Sequence, residues 1–232
     1  MASLKSRLEH SVTPIALRAY FAEYISTFLF VYASVGAAIL VAIAVANAFA
    51  MSVAVYLAAN ISGGHVNPAV TFGMTIGGHI TIPMAIFYWI AQMLGSVMAC
   101  LLLKTSTVAQ QVPVHAIPHE MTGFGAAILE GVMTFALVYT VYASADPRRG
   151  AMGAIGPLAI GFIVGANVLA SGPFTGGSMN PALSFGTSLI GGSFKNQAVY
   201  WIGPMIGAAV AGILYDNVVF PAEVPISDGI GV

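Results

Sequence analysis

Apolar residues run through this chain in long blocks separated by short polar or Gly/Pro punctuation. Six blocks are long enough to cross a bilayer, near 17–37, 41–60, 82–103, 123–144, 153–171 and 196–219. One helical crossing takes about 20 mostly apolar residues. Two further blocks, about 67–77 and 180–190, are too short to span and read as re-entrant or interfacial segments. The pattern predicts an all-α membrane protein with six transmembrane helices and two half-helices. One junction stays open, because between Phe28 and Ala46 the only helix-breaking residue is Gly36. Pattern alone permits one long helix there in place of spans one and two.

The chain also repeats itself. E-Y-I-S-T-F from Glu23 matches E-G-V-M-T-F from Glu130, and H-V-N-P-A-V-T-F-G at 65–73 matches S-M-N-P-A-L-S-F-G at 178–186. Y-W-I-A-Q-M-L-G at 88–95 matches Y-W-I-G-P-M-I-G at 200–207. Three anchors in the same order point to duplication, with one repeat about 17–105 and the other about 122–220 inside a single domain over 1–232. Each repeat holds three spans, an odd number, so the second enters the membrane from the opposite side. Such an inverted repeat places a solute path between its halves. It also favours two spans over one long helix at the open junction, since only then do the half-helices enter from opposite sides.

Composition sharpens the class. Hydrophobic residues make up 58% of the 232 residues and charged ones 6%, against roughly 25% charged in soluble proteins; lipid is the natural solvent. A formal net charge of -1 offers no basic face for nucleic acid. Lys5, Arg7, Arg18, Arg148 and Arg149 fall on one side of six spans, and Lys104 and Lys195 on the other. The richer side is expected to be cytosolic, making 1–16 and 221–232 cytosolic tails. Segment 1–16 has no apolar h-region, so the first span is expected to serve as the targeting signal. Cys100 is alone in an apolar run and reads as a buried residue or a mercurial target. No cofactor, metal set or catalytic constellation emerges, because the histidines lack ligand spacing and no nucleophile has a base nearby.

Asn-Pro-Ala carries the chemistry. Asn is a preferred N-cap and Pro suits the first helical position. Asn67, Pro68 and Ala69 therefore start one half-helix, and Asn180, Pro181 and Ala182 the other. Two such starts meeting tip to tip would put two positive dipole ends at the centre and repel cations, a hydrated proton included. The Asn67 and Asn180 amides can donate to one water oxygen and turn it, interrupting a proton wire. A lone N-P-A is more simply an ordinary capped helix; the matched pair in an inverted repeat makes that reading far weaker.

With these motifs the sequence resembles the aquaporins, the major intrinsic protein family, over all six spans. N-I-S-G-G-H-V-N-P-A-V-T-F-G at 60–73, L-V-Y-T-V-Y-A at 137–143 and I-G-F-I-V-G-A-N-V-L-A at 160–170 are similar to plant tonoplast intrinsic proteins. The resemblance implies a passive channel for water and small neutral solutes, a homotetramer in membrane lipid, and the vacuolar membrane, with plasma membrane or another organelle as alternatives. It also implies a constriction at Asn47, Val168, Gly177 and Leu183. Family members commonly carry an aromatic residue or His in place of Asn47 and Arg in place of Leu183, and Asn and Leu here are most similar to an unusual fifth tonoplast subgroup. A wider, less polar and uncharged constriction is expected to pass urea, and with it ammonia, glycerol or hydrogen peroxide; the bland alternative is that Leu183 only packs. Relatives are also expected to have a longer connection between spans one and two.

Glu23 and Glu130 are intramembrane carboxylates, functional candidates by default, and their matched positions suggest that each braces the loop before its half-helix. Gln92, facing Pro204 across the repeat, is expected to bond loop backbone. By resemblance His65 lines the cytosolic half of the pore, with loop bracing an equal alternative. His115 and His119 lie between spans three and four; His115 resembles a pore-mouth histidine of ammonia-permeable relatives, and its protonation in an acidic compartment would alter the entrance. A structural membrane protein with a closed pore and an ion-conducting channel are the competing functions.

Overall fold

The computed structural model describes residues 3–36, 40–107, 111–147 and 155–219. Nine α-helices order the described residues: α1 Leu4–Ser11, α2 Pro14–Gly36, α3 Leu40–Ser62, α4 Pro68–Ile76, α5 Ile82–Ser106, α6 Gly123–Ala145, α7 Ile155–Thr175, α8 Pro181–Gly191 and α9 Val199–Leu214. A π-helical turn, Tyr215–Val219, extends α9. Among the described residues five helices are long and apolar enough to cross a membrane: α3, α5, α6, α7 and α9 with its π turn. α2 is also 23 residues long but carries Arg18 and Glu23, which dilute its apolarity. Glu23 is fully buried in protein, so that charge never faces lipid, and α2 is the sixth spanning helix. α4 and α8 are the half-helices.

The open junction resolves into two helices. α2 stops at Gly36 and α3 starts at Leu40. They run antiparallel, since Ser62 at the end of α3 reaches back to Glu23 while Val35 and Ile43 share one cavity wall. The connecting residues 37–39 lie outside the described residues, as do Arg148, Arg149 and the tail 221–232. Two element ends differ from the pattern. α7 runs past Pro173 to Thr175, tolerated because only the final turn loses a hydrogen bond there. α1 forms within the expected tail, capped where Ser3 accepts from the Ser6 N–H, and Tyr20 ties it to α2 by donating to the Ser11 carbonyl at 2.7 Å.

Small residues set how close the helices come. A Cβ on Gly207 of α9 would lie 2.0 Å from the Gly131 carbonyl of α6, and one on Gly95 of α5 would lie 2.4 Å from the Tyr24 carbonyl of α2. Gly161 and Gly165 of α7 play the same part against Ala48 of α3. Between helices in lipid, close backbone packing replaces hydrophobic burial as the source of association. The pairs α2–α5 and α6–α9 are equivalent under the repeat, and both half-helices sit inside the ring these spans make.

Candidate functional site

The loop before each half-helix hangs from one buried carboxylate. Glu23 Oε1 accepts from the His65 backbone N–H at 2.8 Å and the Ser62 hydroxyl at 2.6 Å. Its Oε2 accepts from the Val66 N–H at 2.8 Å and Gln92 Nε2 at 2.7 Å. In the other half, Glu130 Oε1 accepts from the Ser178 N–H at 3.1 Å and the Thr175 hydroxyl at 2.6 Å, and Oε2 from the Met179 N–H at 2.7 Å. Tyr88 and Tyr200 complete the match, donating to the carbonyls of Ser62 and Thr175 at 3.0 Å each. Irregular backbone at membrane depth persists only when its polar groups are satisfied inside the protein. An ionised carboxylate is a pure acceptor with room for four donors.

These bonds hold a backbone shape that most residues avoid. Gly63 and Gly64 have φ of 89° and 64°, and Gly176 and Gly177 have 82° and 67°. Val66 and Met179 follow at 56° and 54°. Positive φ at a β-branched residue such as Val66 is rare, and such conformations cost on the order of 1–3 kcal/mol each. The Val66 and Met179 N–H groups are the ones the two carboxylates grip.

The turn so made aims each loop at the opposite half. Asn67 Nδ2 donates to the Met179 carbonyl at 2.9 Å, and Asn180 Nδ2 donates to the Val66 carbonyl at 3.0 Å. Meanwhile Asn67 Oδ1 accepts from the Ala69 N–H at 2.8 Å, and Asn180 Oδ1 from the Ala182 N–H at 3.0 Å. Pro68 and Pro181 take the first helical position, where an N–H would have no acceptor. Both amides thus cap one half-helix and tie it to the other. An Asn amide has two N–H donors, so each retains one beyond the crossed bond.

On one side of this junction lies a 280 Å³ cavity whose wall includes Asn47, Gly177, Leu183, Thr187 and His115. Among the described residues no charged side chain lines it. Asn47 Nδ2 donates to the Ile43 carbonyl of its own helix at 2.8 Å. Val168 is absent from the wall; it backs Gly177, whose Cβ would lie 3.1 Å from the Val168 Cα. Pro113 to Ala116 of the loop before α6 form part of the wall, with the His115 ring centred 5.4 Å from that of Tyr200. His119 lies further along, exposed.

Gln92 departs from the sequence reading. Its amide bonds the Glu23 carboxylate and Thr71 Oγ1, at 2.7 and 3.0 Å, rather than loop backbone. The His65 and Val66 N–H groups are already taken by Glu23, and a carboxylate is the stronger acceptor for the Gln92 amide. His65 is buried, its Nδ1 3.1 Å from Thr71 Oγ1. Thr71, Ser62, Thr175 and Thr187 were not singled out by the sequence, where isolated hydroxyls in apolar runs look like helix filler. Tyr88 and Tyr200 did leave a signal, as the first residue of the matched Y-W-I segments.

The family described as Major intrinsic protein matches residues 10–215. The chain is 52% identical over 236 residues to "Probable aquaporin TIP5-1" of Arabidopsis thaliana, covering 95% of this chain and 92% of that one. It is 54% identical over 226 residues to "Aquaporin TIP2-1" of the same plant, covering 90% of each. Among solved structures, the aquaglyceroporin from Plasmodium falciparum superposes with a TM-score of 0.72 over 88% of this chain and 96% of its own, at 20% identity. That likeness concerns the fold.

Two outcomes follow from the geometry. Glu130→Gln replaces one acceptor oxygen by donors facing donors. It should lower stability by about 1–3 kcal/mol in detergent unfolding, and Glu23→Gln, with a fourth donor to disappoint, by more. Burial pushes the His115 imidazole down to about 4. An undocked imidazole takes its proton near 6.5, so acid favours the undocked loop, and its docking stability is lost as pH falls from about 6.5 through about 4. Amide-exchange protection of residues 112–117, corrected for intrinsic rate, should fall over that window in the wild type and stay level in His115→Ala.

Proposed function

The chain belongs to the major intrinsic protein family, and on that footing we propose that it is a passive membrane channel for water and small neutral solutes, urea foremost. The observation that carries this reading is the uncharged cavity at Asn47, Gly177 and Leu183, opening beside the crossed asparagines. A solute entering there meets Leu183 where a guanidinium would demand hydrogen-bond partners and narrow the path. Asn47 and Thr187 remain as polar groups. The desolvation barrier for urea falls accordingly, and ammonia, glycerol and hydrogen peroxide share its small, neutral character.

Ion exclusion then rests on the centre. α4 and α8 present their N-termini to each other, and the positive ends of both dipoles oppose a cation. The spare N–H of each Asn amide orients a passing water by its oxygen. Aquaporin-type pores are themselves the reference case for this kind of selectivity. A homotetramer with one path per chain, cytosolic termini and a vacuolar membrane complete the proposal; the tonoplast names of the relatives and the excess of Lys5, Arg7 and Arg18 at one end support the last two.

Stopped-flow light scattering of proteoliposomes tests the constriction. Urea entry should exceed that into protein-free vesicles and fall about tenfold in Leu183→Arg, equivalent to about 1.4 kcal/mol of barrier, while water flux persists. Equal urea entry in the two proteins would remove Leu183 from the solute path.

A further inference from the structure

A cavity of 610 Å³ opens between α1 and the start of α5, and its wall sets Ser6, Arg7 and His10 of α1 against Thr75, Thr81 and Ile82. Its character is positive from two sources. Arg7 is half-buried, and its guanidinium makes no hydrogen bond or ion pair among the described residues. Thr81 precedes α5 without a side-chain bond to the first turn, so the positive end of a 25-residue helix also meets the cavity. The adjoining end of α4 cancels little of this. Its Gly73, Met74 and Thr75 carbonyls already accept from the Gly77, His79 and Gly78 N–H groups. The carboxylates at this end are engaged or turned elsewhere. Asp216 bonds His79 at 2.8 Å, and Asp146 accepts from Tyr215 at 2.7 Å. Glu9 follows Arg7 by two residues, which sets it on another face of α1, and it pairs with no cation among the described residues.

We propose that this cavity binds the phosphate of an anionic phospholipid headgroup, with Arg7 as the principal donor and the His10 ring and Ser6 hydroxyl beside it. A guanidinium offers paired donors that match a phosphate, and the start of a helix favours the same anion. The rim selects a lipid over a free anion. Ile82 in the wall and Leu4 and Leu8 on α1 are exposed, an apolar surface for acyl chains to cover where α5 enters the membrane. The headgroup supplies the counter-charge that Arg7 lacks, and α1 is thereby fastened to the bilayer surface. The site rests on the membrane-spanning fold alone and is independent of which solutes cross.

Native mass spectrometry of the protein in neutral detergent, with phosphatidylglycerol or phosphatidylcholine added, tests this. The wild type should retain phosphatidylglycerol about tenfold more strongly than phosphatidylcholine, and Arg7→Gln should bring the two to parity. Lys5→Gln makes the same charge change outside the cavity wall, on the far side of α1, and should keep the preference. Inorganic phosphate should leave the bound lipid in place. A wild type without preference would overturn the proposal. So would an equal loss in Lys5→Gln and Arg7→Gln, which would mean diffuse charge attraction, or displacement by inorganic phosphate, which would mean a simple anion contact. Retention of phosphatidylglycerol only after Glu223→Gln and Asp228→Asn would assign the cavity to the chain's own C-terminal carboxylates instead.

Discussion

Two buried carboxylates make the centre of this molecule possible. The loops 63–66 and 176–179 break off from helices inside the bundle, where their buried N–H groups need acceptors within the protein. Glu23 and Glu130 accept from them directly, at 2.7 to 3.1 Å. Each carboxylate in turn meets only donors, which offset the cost of burying it. Remove the loop and the charge is orphaned; remove the charge and the left-handed turn at Val66 or Met179 has no reason to persist. The asparagines, their crossed bonds and the facing helix starts are all downstream of that mutual need.

The duplication gives the two halves one plan and leaves room for difference. Glu, Tyr, the paired glycines, the positive-φ residue and the Asn–Pro start recur in both. Gln92 and Thr71 form an extra link in the first half, where Pro204 stands opposite Gln92 in the second. The cavity wall, by contrast, draws on residues the repeat does not duplicate: Leu183 takes the position that Val70 holds in the first half, and His115 comes from the connection between the halves. The common frame and the cavity-lining details can therefore vary independently, which fits a fold shared at 20% identity with an aquaglyceroporin.

Much of this was legible in the sequence because its cause is local. An Asn followed by Pro caps a helix through bonds within three residues, and three matched segments in register expose the inverted repeat. The six-helix count was legible from block length, although Glu23 and Arg18 make α2 look less like a span than it is. Partners fixed by tertiary contact were not legible. The sequence suggests loop backbone as the partner of Gln92, and only the fold shows that Glu23 holds the His65 and Val66 N–H groups and takes the Gln92 amide itself. The crossed Asn67–Met179 and Asn180–Val66 bonds join residues more than a hundred positions apart. α1 was hidden because its eight residues are mostly polar, and its place depends on Tyr20 reaching Ser11. Val168 shows a finer limit: its position came from a resemblance, and the structure sets it behind Gly177 rather than in the wall.

Two helix starts locked tip to tip through Asn67 and Asn180 are proposed to pass neutral molecules and refuse charge. Proton entry into proteoliposomes under an imposed potential, followed by an interior pH dye alongside osmotic water flux, tests it most directly. Water flux should scale with protein content while proton entry stays at the level of protein-free vesicles. Proton entry that rises with protein content in step with water would contradict it, and would mean that the facing dipoles and crossed amides do not act as the barrier.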